Sequence, residues 1–149
     1  MALYLVRHGE SVPKEINPAC PLSDRGMVEV EHMAARAAEK NCNLTKIFHS
    51  GKKRALQTAM IMKEHLNPTF GIAEALGLNP NDDMFHVLSI IEKEANPMIV
   101  SHLPFLEKLA SFLVMGDQEK SVVKFPTAGI VYLEKGGNGK WKIKWKLFP

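Results

Sequence analysis

Three short stretches of this sequence collect reactive side chains where apolar runs end. They are Arg7-His8-Gly9-Glu10-Ser11, His49-Ser50 with Lys52, Lys53 and Arg54 just beyond, and Ser101-His102. Two guanidiniums can fork onto the oxygens of a tetrahedral dianion. A neutral imidazole can attack phosphorus, and a second can donate to a non-bridging oxygen. These residue types together describe a phosphate site with a nucleophile inside it. The paired carboxylates that magnesium-assisted phosphoryl transfer needs do not sit in these stretches, so no metal site is expected.

The surrounding pattern shows how residues so far apart could meet. Ala2–Arg7 reads as a strand, and a polar, Pro-containing loop follows from Glu10 to Leu22. Ser23 reads as the N-cap of a helix over Asp24–Lys40, with Met27, Val30, Ala34 and Ala37 at helical spacing. Lys46–His49 is a second strand. Ala55, Ala59, Met62 and Leu66 mark a helix that Pro68 ends and whose first turn carries Lys52, Lys53 and Arg54. Residues Thr69–Asp83 are less regular, with Asn79-Pro80 as a cap for a helix bearing Met84, Val87, Leu88 and Ile91. Met98–Ser101 is a third strand. Pro104 suits the first position of a helix striped by Leu106, Leu109, Ala110 and Leu113 and stopped by Gly116. Gly129–Glu134 and Lys140–Leu147 flank Gly136-Gly137-Asn138-Gly139, a hairpin signal.

Alternating strands and helices imply an α/β three-layer sandwich. Its central sheet is mostly parallel, with helices on both faces and a C-terminal antiparallel hairpin. Ligands of such sheets bind beyond the carboxyl ends of the strands, so Arg7, His8, Arg54 and His102 are expected along one rim. The 149 residues are expected to form one domain, 1–149. The net charge of +3 suits an anionic substrate and is too small to argue for nucleic acid. No apolar window is long enough to cross a bilayer, and no signal peptide is recognisable, so a cytoplasmic protein is expected. Cys20 and Cys42 lack any partner motif for a disulfide or zinc.

Leu5-Val6-Arg7-His8-Gly9-Glu10-Ser11 resembles the Arg-His-Gly signature of the histidine phosphatase superfamily, the phosphoglycerate-mutase-like fold. Pro21-Leu22-Ser23-Asp24-Arg25-Gly26 is similar to that family's step into its first helix. Ser50 to Ala59 is similar to the segment with the second arginine, and Val100-Ser101-His102 to the one with the second histidine. Phe125 to Ile130 resembles a late segment of the short members. The motifs run in order over nearly the whole chain, each at an element boundary. The short length resembles the SixA-type branch, the phosphohistidine phosphatases, since little room remains between Phe70 and Asp83 for the helical cap of larger members.

The resemblance implies a phospho-His8 intermediate, with Arg7, Arg54 and His102 holding the phosphoryl oxygens and no cofactor. Gly9, Ser11 and Ser50 are the candidate substrate-binding residues around them. Larger members carry a carboxylic general acid after the second arginine. Glu74, Asp82 and Asp83 are nearby here, none in a matching motif. An alkoxide leaving group needs such a donor more than an imidazole does, which favours phosphohistidine. Lys14 and Asn17 are local candidates for an Asn found past the Arg-His-Gly in many larger members. The implied partner is a phosphorylated protein, a histidine phosphotransfer domain among them, or a small phosphorylated substrate, with neither nucleic acid nor membrane. The alternatives are a small-molecule phosphomonoesterase of the same superfamily and a phosphate-binding module without turnover.

Other features read as structural. His32, His49, His65 and His86 suit surface or hydrogen-bonded positions, and Met60, Met62 and Met84 suit the core. The alternation of Lys140, Lys142, Lys144 and Lys146 with Trp141, Ile143, Trp145 and Leu147 reads as a half-buried strand with one lysine-lined face.

Overall fold

The computed structural model describes all 149 residues. Six strands form one sheet: β1 (Ala2–Arg7), β2 (Lys46–His49), β3 (Ile72–Glu74), β4 (Pro97–Ser101), β5 (Ile130–Lys135) and β6 (Trp141–Leu147). Their spatial order is β3-β2-β4-β1-β5-β6. The first four run parallel, while β5 is antiparallel to β1 and β6 to β5. The helices are α1 (Asp24–Ala38), α2 (Lys53–Leu66), α3 (Phe85–Lys93) and α4 (Phe105–Met115). This is the expected α/β architecture.

Strand alternation divides the core into two layers. Tyr4 and Val6 of β1 pack with Val30, Met33 and Ala34 of α1 and with Ala55, Ala59 and Met62 of α2. Leu3 and Leu5 point the other way, onto Val87 and Ile91 of α3 and Phe105, Leu106 and Leu109 of α4. Burial on both faces explains why β1 and β4 read as unbroken apolar runs. Met62 and Met84 are in the core as expected, whereas Met60 is half exposed on the outer side of α2.

Several boundaries differ from the sequence reading for identifiable reasons. Residues 39–41 leave α1 early because their amides bond three residues back, to Arg36, Ala37 and Ala38, and Asn41 turns left-handed at φ 54°. The β3 strand lies in the irregular stretch, only three residues long at the sheet edge. Asn79-Pro80 does not cap α3. The Asn79 amide is taken by Asp82 Oδ2 in a separate turn, and Asp83 Oδ1 accepts the Phe85 amide where the helix begins. Pro104 occupies the N-cap position rather than the first helical one.

The lysine-rich strand is also corrected. A register shift lies between Tyr132 and Leu133, which pair with Trp145 and Ile143. The bulge puts Trp141 and Ile143 on the α4 side but Trp145 and Leu147 on the α1 side. The lysines are therefore split between the two faces of this edge strand.

The approach of α1 to the loop after β1 matters most for the site. Ser23 Oγ accepts the Gly26 amide at 3.0 Å and donates to Glu10 Oε1 at 2.9 Å. A Cβ on Gly26 would stand 2.1 Å from the Glu10 carbonyl oxygen. Gly26→Ala must push that loop away. It is expected to lower stability by about 2 kcal/mol or more, a Tm loss of roughly 4–8 °C in a thermal melt.

Candidate active site

Because β4 lies between β2 and β1, their carboxyl ends are neighbours. Arg7 is level with Ser101, and His49 with Val100. The residues just beyond, His8 and His102, bring their rings together with centroids 4.9 Å apart and planes tilted by 52°. The His8 amide donates to the Ser101 carbonyl at 3.1 Å, and the Ala128 amide is shared between the Arg7 and His8 carbonyls, 3.1 Å from each. Both rings are buried, His102 to 2 % exposure.

The tautomer of His8 follows from one contact. Its Nδ1 lies 2.7 Å from the Gly9 carbonyl oxygen, which can only accept. Nδ1 therefore carries the proton, and in the neutral ring Nε2 holds a free lone pair. Burial pushes the His8 pKa down to about 4, helped by the Arg54 and Arg7 charges and opposed by the Gly9 bond. His102 is pushed down to about 3 by burial, then by His8, Arg54, Lys52 and Arg7. Both imidazoles are thus neutral near pH 7. The charges acting on them are all cationic.

The arginines enter from different elements. Arg7 ends β1 and donates from Nη1 to the Phe125 carbonyl at 2.9 Å, while its Nε–H is buried without a partner. A buried cationic donor left unpaired is costly unless an acceptor arrives. The Phe125 amide is held by Glu107 Oε2 at 3.0 Å, so α4 steadies Arg7 through Phe125. Arg54 is in the first turn of α2, whose N-terminus adds its dipole to the same rim.

The remaining sequence-selected residues divide sharply. Ser50 Oγ lies 2.7 Å from His102 Nε2 and accepts the Lys52 amide at 3.3 Å, so it stands beside an imidazole. Gly9 contributes its carbonyl to His8. Ser11 instead sits in an isolated antiparallel bridge with Leu22. Lys14 is exposed, and Asn17 Oδ1 accepts the Ala19 amide in a local turn. Glu74 packs against Gly51, which adopts φ 90° and would place a Cβ 2.6 Å from the carboxylate carbon. Its charge partly opposes the burial that lowers the His49 pKa. Asp82 and Asp83 are occupied in the turns before α3. Sequence reasoning missed Glu107, Gln57 and Thr58. Gln57 and Thr58 lie three and four residues after Arg54 on the same helix face, but their partners, Leu22 and Gly9, are distant in sequence.

The two lowered imidazoles give the fold a defined pH response. Unfolded histidines take up protons near pH 6.5, whereas His8 and His102 do so only near 4 and 3. Between those limits the unfolded chain binds more protons, so stability falls as pH falls. A urea midpoint measured from pH 7 to pH 5 is expected to decline, and His102→Gln, which cannot titrate, is expected to flatten the slope. A wild-type midpoint that stays level over this window contradicts the assignment.

The parallel strands of this α/β fold gather two buried imidazoles and two guanidiniums at their carboxyl ends, an arrangement suited to a phosphoryl group. The family model of the histidine phosphatase superfamily (branch 1) matches residues 3–77, and the chain belongs to that superfamily. Membership indicates a phosphatase. No curated relative matches the chain. Among solved structures, the fold is similar to the protein histidine phosphatase SixA complexed with tungstate, with a TM-score of 0.87 and 23% identity over 100% of this chain and 97% of that one. A protein from Agrobacterium tumefaciens assigned as phosphohistidine phosphatase SixA follows, with a TM-score of 0.81 and 24% identity over 99% and 97%. A mycobacterial glucosyl-3-phosphoglycerate phosphatase shares the fold at a TM-score of 0.73 and 12% identity, covering 99% of each chain. At these identities the likeness speaks for the fold.

Proposed function

We propose that this protein is a phosphohistidine phosphatase that passes the phosphoryl group through His8. The observation that carries the reading is the pair of buried imidazoles with ring centroids 4.9 Å apart, His8 with its Nε2 lone pair free and both rings under the charges of Arg7 and Arg54. Such a site holds a phosphoryl dianion well, and Asp82 and Asp83 are taken up by backbone amides rather than offered to a leaving group. A phosphohistidine substrate needs no carboxylic acid. When the other nitrogen of its ring is protonated, it departs as neutral imidazole, whereas an alkoxide must be given a proton.

In the first step the Nε2 lone pair of His8 forms a bond to phosphorus as the substrate's P–N bond breaks. The bonding pair stays on the leaving nitrogen. His8 keeps its Nδ1 proton on the Gly9 carbonyl, so the phosphorylated ring is cationic and nitrogen has replaced nitrogen on phosphorus. Arg7, Arg54 and His102, the last through its unpartnered Nδ1 while Ser50 donates to its Nε2, hold the three equatorial oxygens, where negative charge spreads in the transition state. In the second step water attacks phosphorus, the P–Nε2 bond breaks, His8 returns neutral, and the water's proton leaves to solvent. Ser50 lies beside His102 and orients it.

The natural partner in this reading is a phosphorylated protein. The segment between Leu66 and Phe85 holds β3 and turns, with no helix to close over the rim, which suits a bulky substrate. Initial rates on phosphohistidine, p-nitrophenyl phosphate and sugar phosphates test the reading. We expect kcat/KM for phosphohistidine to exceed that for sugar phosphates by about 100-fold or more. A preference for sugar phosphates supports the small-molecule phosphomonoesterase instead, and no turnover of any substrate supports a binding module.

A further inference from the structure

Helix α2 meets the loop after β1 with three residues of one face. Arg54 directs its charge at both imidazoles. One turn on, Gln57 Oε1 accepts the Leu22 amide at 2.7 Å, and Thr58 Oγ1 accepts the Gly9 amide at 3.1 Å. The Thr58 hydroxyl proton is committed to the Arg54 carbonyl at 2.8 Å, so toward Gly9 the oxygen acts only as an acceptor. Thr58 is wholly buried. The peptide between His8 and Gly9 is therefore held at both ends, its carbonyl by the Ala128 amide, which it shares with the Arg7 carbonyl, and its N–H by Thr58. The next carbonyl along the chain, that of Gly9, fixes the Nδ1 proton of His8.

We propose that Thr58 is a positioning residue for phosphoryl transfer, its hydroxyl coupling the helix that carries Arg54 to the backbone that aims His8 Nε2. This rests on the proposed role of His8. Both hydrogen bonds of the Thr58 hydroxyl go to backbone groups, which leaves it no donor for an anion. When its hydroxyl is removed, Arg7 keeps its bond to Phe125 and His102 its contact with Ser50, and Arg54 loses one bond, at its backbone carbonyl and not at its guanidinium. The loss therefore falls on the reaction of the nucleophile, not on the capture of the oxyanion.

Thr58→Val keeps the shape of the side chain without the acceptor, and Thr58→Ser keeps the hydroxyl. The rate of protein phosphorylation by radiolabelled acetyl phosphate is followed by rapid quench for wild type and both variants, alongside tungstate affinity. Thr58→Val is expected to label about 10- to 100-fold more slowly. Its tungstate affinity is expected to stay within about twofold, and Thr58→Ser to recover most of the wild-type rate. If Thr58→Val does not fold, Thr58→Ala replaces it with the same expectation. Equal labelling of wild type and the valine variant overturns the role of Thr58. So does a serine variant as slow as valine, or a slow valine variant whose deficit matches weakened tungstate binding. A wild type that takes no label overturns the functional reading itself, which separates the two failures.

Discussion

His8→Ala is expected to leave a folded protein that still binds tungstate and releases no phosphate above background. The side chain removed is the one whose proton is fixed at Nδ1, leaving Nε2 to attack. Burial keeps that nitrogen unprotonated, with a pKa near 4. Nothing adjacent replaces it. The ring beside it belongs to His102, whose Nε2 is engaged with Ser50. The loss should be about 10,000-fold or more, since removing a covalent nucleophile takes away the pathway rather than one contact. Phosphate release from phosphohistidine and from p-nitrophenyl phosphate measures it, and circular dichroism checks the fold. A variant within tenfold of wild type on both substrates would falsify His8 as the nucleophile.

Arg54→Lys should cost about 100- to 1,000-fold in kcat, although the charge is unchanged. The change separates charge from geometry. An ammonium at this position still opposes protonation of the imidazoles. It cannot offer two parallel N–H groups to two oxygens of a trigonal phosphoryl group. The neighbouring Lys53 is exposed and acts on neither imidazole. Lys53→Ala is the control and should change kcat by less than about twofold. Similar effects from the two substitutions would mean that α2 contributes only general positive charge.

The reactive centre was legible because its residues sit where apolar runs stop. The bounds of β1 and β2 could be read to the residue, since each run is buried on both faces and ends at a polar side chain. Parallel order then places their ends together, and the structure brings His8, His102, Arg7 and Arg54 to one rim. What the pattern hid depends on contacts between distant segments. The Gly9–Thr58 bond spans 49 positions and the Leu22–Gln57 bond 35. No local period marks either one. Glu107 steadies Phe125 from a helix that reads simply as amphipathic. The β3 strand was too short to show a period, and the β6 bulge was concealed by an alternation that stays unbroken in sequence while the backbone changes face. Two acids without a matching motif have backbone work. Asp82 and Asp83 precede α3 as turn and cap acceptors, and Asx residues in that place serve the backbone more readily than chemistry.

The most direct measurement is to trap the intermediate. The enzyme is mixed with labelled acetyl phosphate, quenched in alkali within the first turnover, digested at high pH and mapped by mass spectrometry. The label should be stable to base, lost in acid, and found on the peptide containing Arg7-His8-Gly9, at His8. Phosphate on Ser11, Ser50 or His102 instead, or rapid phosphate release with no labelled protein at any time, contradicts transfer through the His8 imidazole.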